Sequence, residues 1–417
     1  MTSQPQDSHM KESGSGQMVN PEKSATPTRP SDYALPLFIP FLIHAFVAQL
    51  ATVLTRIDTS YRAIELQVPV VWYGLINSGY ALLPIFLAVP VGRYIDKGND
   101  ARIVWAGSAL ALVSNVGFWG LGHSGLNLLL FTVVGGVGHL CLMAGHQSMT
   151  LRCSGPKSRE GVIGTYMVVL SIGQMIGPIY IAWVAGDSKI PPTQLLFSVA
   201  LGLAVLAFAL GFLLRPSPPM SQEARAQKPV PVMDLVRTRG LVVVIIASVM
   251  TVTSFDLLVV YLPLLGAERH IPASTIGWLF TVRALASIAA RLVYPSLIRM
   301  FGRTNLSLIT MLLGASGFVL TGLSQSIPVL YGAAVLMGIG LGISVTLAMS
   351  NVVDLAPPSA RGTALSLRLT GNRIGQFVIP SLGSLVAAAA GTAGVFLIIA
   401  ALLAASGISV KTTMKSR

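Results

Sequence analysis

The amino-acid sequence predicts an all-α integral membrane protein with twelve transmembrane helices in two pseudo-symmetric six-helix bundles. Three observations lead there. The first is composition: of 417 residues, 53% are hydrophobic and only 10% charged, against roughly 25% charged in a soluble domain. The second is the recurrence of apolar runs about 20 residues long, the length that crosses ~30 Å of hydrocarbon. The third is an internal repeat. Ile172-Gly173-Gln174-Met175-Ile176-Gly177-Pro178 is echoed by Ile374-Gly375-Gln376-Phe377-Val378-Ile379-Pro380, and 374 − 172 = 202 places the echo about half a chain later.

Taken in order, residues 1–31 are polar, with Ser-Gly-Ser-Gly at 13–16 and no apolar core of a secretory signal. They are expected to form a disordered cytoplasmic tail. Apolar runs follow near 35–60, 70–92, 103–122, 127–150, 162–185 and 194–214, giving an N-terminal bundle over 32–214. Residues 215–239, rich in proline and charge, read as a cytoplasmic linker. Runs near 240–264, 274–297, 305–325, 328–350, 363–388 and 392–410 make a C-terminal bundle over 240–410, and 411–417 form a second cytoplasmic tail. The net charge of +13 lies in short clusters between these runs, such as Arg93, Lys97 and Arg102 or Arg299 and Arg303. Alternate connections are poor in Lys and Arg. That pattern follows the positive-inside rule and puts both termini in the cytoplasm, so the basic balance does not point to nucleic acid. Cys141 and Cys153, one in an apolar run and one in a basic loop, read as free thiols.

Each repeated proline takes the helical partner from the carbonyl four residues earlier, at Gln174 and Gln376. A carbonyl freed inside a membrane must be satisfied by a neighbouring helix, a side chain or water. A duplicated weak point suits a transporter built from two related halves.

A second echo joins Gly74 with Ala81-Leu82 to Gly277 with Ala284-Leu285, at 277 − 74 = 203. Beyond it, Gly92-x-x-x-Asp96-Lys97 opens the first basic loop, and Pro295-x-x-x-Arg299-x-x-Gly302-Arg303 opens its counterpart. With these features the chain resembles the major facilitator superfamily over nearly its whole length after the tail. The resemblance implies two bundles rocking about a central cleft, latched on the cytoplasmic side by Gly92, Asp96 and Lys97. Asn99 and Asp100 stand where that motif ordinarily continues with glycine and paired basic residues. In span five, Gly164-x8-Gly173-x3-Gly177-Pro178 is similar to the antiporter signature of drug–proton exchangers, with Ile181 and Ala182 replacing its further Gly-Gly. Gly173 and Gly177 share a helical face and allow close backbone approach, and Pro178 offers a bend, so this segment is expected to set how the halves meet. The similar spacing of Gly362, Gly371 and Gly375 also fits plain helix packing.

Ionisable groups inside spans are costly and ordinarily face a cavity or a partner. Asp256, past the middle of span seven, is the first proton-coupling candidate, since burial in a low-dielectric cleft lets a carboxyl hold a proton. Asp58, near the outer end of span one, is the second; its alternative is an i,i+4 pair with Arg62. His139 in span four is the third, because imidazole titrates near neutral pH, whereas His44 and His146 read as hydrogen-bonded packing residues. Arg283 in span eight and Arg373 in span eleven, beside Asn372, present forks that match a carboxylate or phosphate. With Gln174 and Gln376 they form the substrate-binding set; the alternative for Arg283 is an ion pair with Asp256. Arg291 and Arg368, nearer the cytoplasmic ends, are expected to snorkel.

No arrangement of nucleophile, base and orienter is present, and no metal-ligand spacing or phosphate loop, so no enzyme, cofactor or metal is expected. The expected function is proton-coupled secondary transport of a small organic solute by a monomer in the lipid bilayer of a bacterial inner membrane. Its partners are that small-molecule substrate and protons. Span five favours efflux by antiport, and the buried arginines equally allow proton-coupled uptake of an organic anion. A non-transporting membrane sensor on the same fold is the competing class.

Overall fold

The computed structural model describes residues 31–152, 159–215, 235, 237–238, 240–356 and 361–415. Nearly all of the predicted N-terminal tail, most of the linker, and Cys153 lie outside the described residues, as does the side chain of Asp96. The described chain forms ten helices, each long and apolar enough to cross a membrane. They are α1 (Ser31–Glu65), α2 (Val70–Asp96), α3 (Asp100–Leu121), α4 (Gly125–Arg152), α5 (Arg159–Ala185), α6 (Thr193–Gly211), α7 (Leu241–Glu268), α8 (Ala273–Leu323), α9 (Ile327–Leu355) and α10 (Arg361–Lys415). Large apolar side chains stand exposed along them, among them Phe86, Trp183 and Leu292, as hydrocarbon surroundings allow.

Ten helices rather than twelve separate ones are delimited because α8 and α10 are each two helices joined across a kink at a single glycine. Gly302 has φ 70° and ψ 160°, and helical hydrogen bonding resumes at once on its far side. Gly391, at φ 75° and ψ 167°, does the same in α10. A side chain at such angles would be strained, which is why glycine occupies both.

The repeat seen in sequence is also a repeat of backbone turns. Gln67 and His270 both carry positive φ (51° and 57°), at 270 − 67 = 203. Each is followed by a branched residue whose N–H closes the turn, Val68 onto Ala63 at 3.0 Å and Ile271 onto Gly266 at 2.8 Å. Each then meets a proline, Pro69 or Pro272, that starts the next helix. Gly98 and Gly302 correspond at 302 − 98 = 204, and Gly186 and Gly391 at 391 − 186 = 205, all four with positive φ.

Side-chain caps at the helix ends follow the same rule. Arg62 Nε donates to the Gly122 carbonyl (3.0 Å) just past α3, and Arg269 bonds the carbonyls of Thr321 (2.8 Å), Ser324 (2.6 Å) and Gly322 at the end of α8. A guanidinium suits these carbonyls, which lack helical partners and sit at the negative end of the dipole. Beside each arginine cap a glutamate accepts from a threonine opening the next helical segment: Glu65 from Thr193, and Glu268 from Thr392 at 2.6 Å.

The two halves of the chain meet through the residues of the echoed motifs. A Cβ on Gly277 would lie 2.7 Å from the Pro178 carbonyl oxygen, and one on Gly74 would strike the Pro380 carbonyl and lie 2.6 Å from Ser384 Oγ. Each repeated proline is thus seated on the other half's repeated glycine. Ser78 and Ser381 hydroxyls bond at 2.8 Å, and Ser60 donates to the Val259 carbonyl at 3.2 Å. A buried cluster joins Leu54, Ile57 and Tyr61 of α1 to Leu257, Leu258 and Tyr261 of α7. These contacts lie toward the end that carries the 66–69 and 269–272 turns.

The span-five glycines expected to set how the halves meet pack within their own half here. Gly173 faces Gln49 and Leu50, and Gly177 faces Val53, all on α1 of the same half. Contact with the other half is made instead by Pro178 and Ala182, against Gly277, and by Ser171, which accepts from Arg291. Gly164 and Gly92 face open space.

Candidate functional site

A charged network crosses between the halves at mid-helix. Arg56 of α1 pairs with Asp256 of α7 at 2.7 Å, with side chains 16% and 4% exposed. The same Nη2 of Arg56 donates to Asn77 Oδ1 at 3.0 Å, and its guanidinium lies 4.5 Å over the Tyr80 ring. The other carboxylate oxygen of Asp256 accepts from Gln376 Nε2 at 2.7 Å, and Gln376 Oε1 accepts in turn from Arg373 at 3.1 Å. Four helices therefore converge on one carboxylate: α1 and α2 from the first half, α7 and α10 from the second. Both oxygens of Asp256 are occupied, so a buried charge is compensated by charge and by hydrogen bonds together.

The structure unites Asp256, Arg373 and Gln376 from the sequence-derived set. The pairing weighed for Asp256 and Arg283 is not the one formed; Arg56 takes that place, while Arg283 lies 4.4 Å over the Phe255 ring. Arg56 was missed. Its signal was an arginine midway along a long apolar run, where charge is expensive. Asp58, two residues further along α1, is turned about 200° from Arg56 around the axis and does not reach the network. It is fully buried, with neither carboxylate oxygen hydrogen-bonded among the described residues. Arg62, the alternative partner weighed for it, instead bonds Glu65 (2.9 Å), Thr193 (3.2 Å) and His123 (3.0 Å).

His139 borders a cavity of about 60 Å³ beside Arg56, Asn77 and Tyr80. Its ring is 5.3 Å from that of Tyr80, and His139 Nδ1, Tyr80 Oη and Thr132 Oγ1 have no hydrogen-bond partner among the described residues. His44 and His146 bond each other at 2.9 Å, and His44 also meets Ser108 at 3.0 Å. Asn372 turns inward within the second half and accepts from Ser248 at 3.2 Å. Arg368 is buried and donates to the same Ser248 at 3.2 Å, and Arg291 donates to Ser171 at 3.0 Å, so neither snorkels as expected. Gln174 borders a second cavity of about 180 Å³, shared with Ser171, Phe255, Arg283, Ser287 and Arg291. Among the described residues no cluster of histidine, cysteine and acidic side chains could hold a metal.

A set of long apolar helices, repeated in two halves that share a buried charged network, defines a multi-pass membrane protein of the transporter type. The profile of the Major Facilitator Superfamily matches residues 35–267 and 244–414. The chain belongs to that superfamily. It is similar to an uncharacterised MFS-type transporter of Burkholderia mallei (strain SAVP1), 26% identical over 219 residues, 52% of this chain and 51% of the relative; the match thus spans about half that relative's length. It is also similar to the multidrug resistance protein MdtH of Aeromonas hydrophila, 22% identical over 301 residues, 69% of this chain and 72% of that one. Among solved structures, a bacterial homologue of the human lysosomal transporter Spinster, in an inward-facing and unoccupied conformation, superposes with a TM-score of 0.75. Their identity is 13%, over 93% of this chain and 98% of that one.

Proposed function

We propose that the protein is a proton-coupled secondary transporter that exports a small organic solute by alternating access. The observation that carries this reading is the Arg56–Asp256 pair, which ties α1 to α7 across the halves and buries a titratable group in the tie. Protonation of Asp256 removes the negative charge that holds Arg56, the tie weakens, and the halves are free to rock apart at that end. Deprotonation restores the pair and closes it again. Solute binding and proton binding thereby become alternative ways to open one contact, which is what exchange requires.

The breaks at Gly302 and Gly391 divide α8 and α10 into two spans each, giving twelve. A continuous 51-residue helix would run to about 77 Å, more than twice the ~30 Å of hydrocarbon. With basic loops inside, the termini lie in the cytoplasm and the joined end faces outward. Gly92, Asp96 and Lys97 then latch the halves at the cytoplasmic end. A monomer in the inner membrane of a bacterium is the simplest assembly. MdtH is named as a multidrug resistance protein, which favours efflux. Uptake of an organic anion is the second reading, favoured by the cationic character of the larger cavity.

Flux in proteoliposomes under an imposed pH gradient tests the proposal. Gradient-dependent flux is expected in the native chain and its loss in Asp256→Asn. Because that variant leaves Arg56 unpaired, the double variant Arg56→Gln, Asp256→Asn is measured beside it. Coupled flux surviving in either variant removes Asp256 as the proton carrier, and flux indifferent to the gradient removes proton coupling.

A further inference from the structure

We infer that the 180 Å³ cavity between α5 and helices α7–α9 is a binding site for a small organic carboxylate, held by Arg283 and Arg291. Both arginines border the cavity and none of its lining side chains is acidic. Arg283 is only 7% exposed, its Nε has no hydrogen-bond partner, and no ion pair to it occurs among the described residues. Asp256, the sequence neighbour of Phe255, is committed elsewhere, with both oxygens taken by Arg56 and Gln376. A buried cation without a counter-charge is a standing cost that an anion would offset.

The remaining lining is equally suited to that ligand. Ser171, Ser287 and the Gln174 amide offer neutral hydrogen-bonding groups, and Phe255, beneath the Arg283 guanidinium, adds an apolar wall. Arg291 is already drawn across from the second half to Ser171 of the first, so an anion held between the arginines sits where the halves part. At roughly 30 Å³ per water the volume equals about six waters. That is small beside the roughly 300–1,000 Å³ of a drug-sized site, and it fits a compact acid better than a bulky drug. The inference rests on the transport reading in calling this anion the substrate; the binding itself does not depend on transport.

The chemistry is shared by a soluble carboxylate and an acidic lipid headgroup, and the test separates them. The full chain is purified in neutral detergent without lipid, and its melting is followed with benzoate, with the uncharged benzamide, and with phosphatidylglycerol. Benzoate is expected to raise the melting temperature in a saturable way, and benzamide to leave it unchanged. Arg283→Gln is expected to weaken benzoate at least tenfold while melting higher than the native chain without ligand, because it removes the uncompensated charge; Arg283→Lys keeps part of the affinity. Arg291→Gln is a second variant read in the same way. Equal shifts by benzoate and benzamide, or unchanged affinity in both Gln variants, overturn the site. Stabilisation by phosphatidylglycerol alone overturns the soluble-carboxylate assignment. Absent binding with intact gradient-driven flux sinks this site and leaves the transport reading standing; binding without flux does the reverse.

Discussion

Arg56 holds a carboxylate, an amide and a phenol ring around one guanidinium in the middle of α1. Removing one partner of such a buried pair leaves the other charged and unsatisfied, at a cost of about 3–5 kcal/mol. Arg56→Gln is therefore expected to lose that much stability, and Arg56→Gln with Asp256→Asn to regain most of it. Chemical or thermal unfolding in detergent reads the cycle; simple additivity of the two single changes would mean the pair is not coupled. At this scale the sequence was partly legible. Asp256 and Arg373 stood out because charge inside an apolar run is rare, and the same rule applied to Arg56 would have found it. Their pairing was not legible. Which of several buried arginines meets Asp256 depends on how α1 and α7 are rotated toward each other, and the apolar runs have no amphipathic periodicity that fixes a rotation. Asp58 shows this directly, because two residues along one helix separate a networked side chain from an unpartnered one.

Helix ends here are decided by single residues. Pro69 and Pro272 start helices after turns at Gln67 and His270, and Gly302 and Gly391 turn the chain without ending its helical hydrogen bonding for more than a residue. The apolar runs near 274–297 and 305–325 were visible as two spans because the intervening residues are basic, but a one-residue break leaves no loop composition to read. Gly302→Ala is expected to cost about 1–3 kcal/mol, since its angles suit glycine alone. Gly332→Ala, at a helical glycine in α9 with open space around it, is the matched control and should be neutral or gain up to roughly 1 kcal/mol in helix propensity. Melting of the two variants side by side checks this. Equal effects would mean that the α8 break is free to straighten.

Across the whole molecule, the duplication read from two short motifs acquires a physical meaning that spacing alone did not disclose. The glycine of one echo receives the proline carbonyl of the other, once at Gly277 with Pro178 and once at Gly74 with Pro380. Small residues let these backbones touch without burying a side chain that separation would strand, so the contact is of a kind that the proposed alternating access could form and part. Serine hydroxyls bond beside it, Ser78 with Ser381 at 2.8 Å. Replacing both by cysteine, in a chain whose Cys141 and Cys153 are changed to serine, puts two thiols where the halves join. Oxidation should then lock that end shut and stop gradient-driven flux, and a reductant should restore it, whereas Ser78→Cys or Ser381→Cys alone should be insensitive to oxidant. Rocking about a central cleft requires this contact to open. Undiminished flux with the cross-link fully formed would therefore show that the halves do not part at this end, and the alternating-access reading would fail with it.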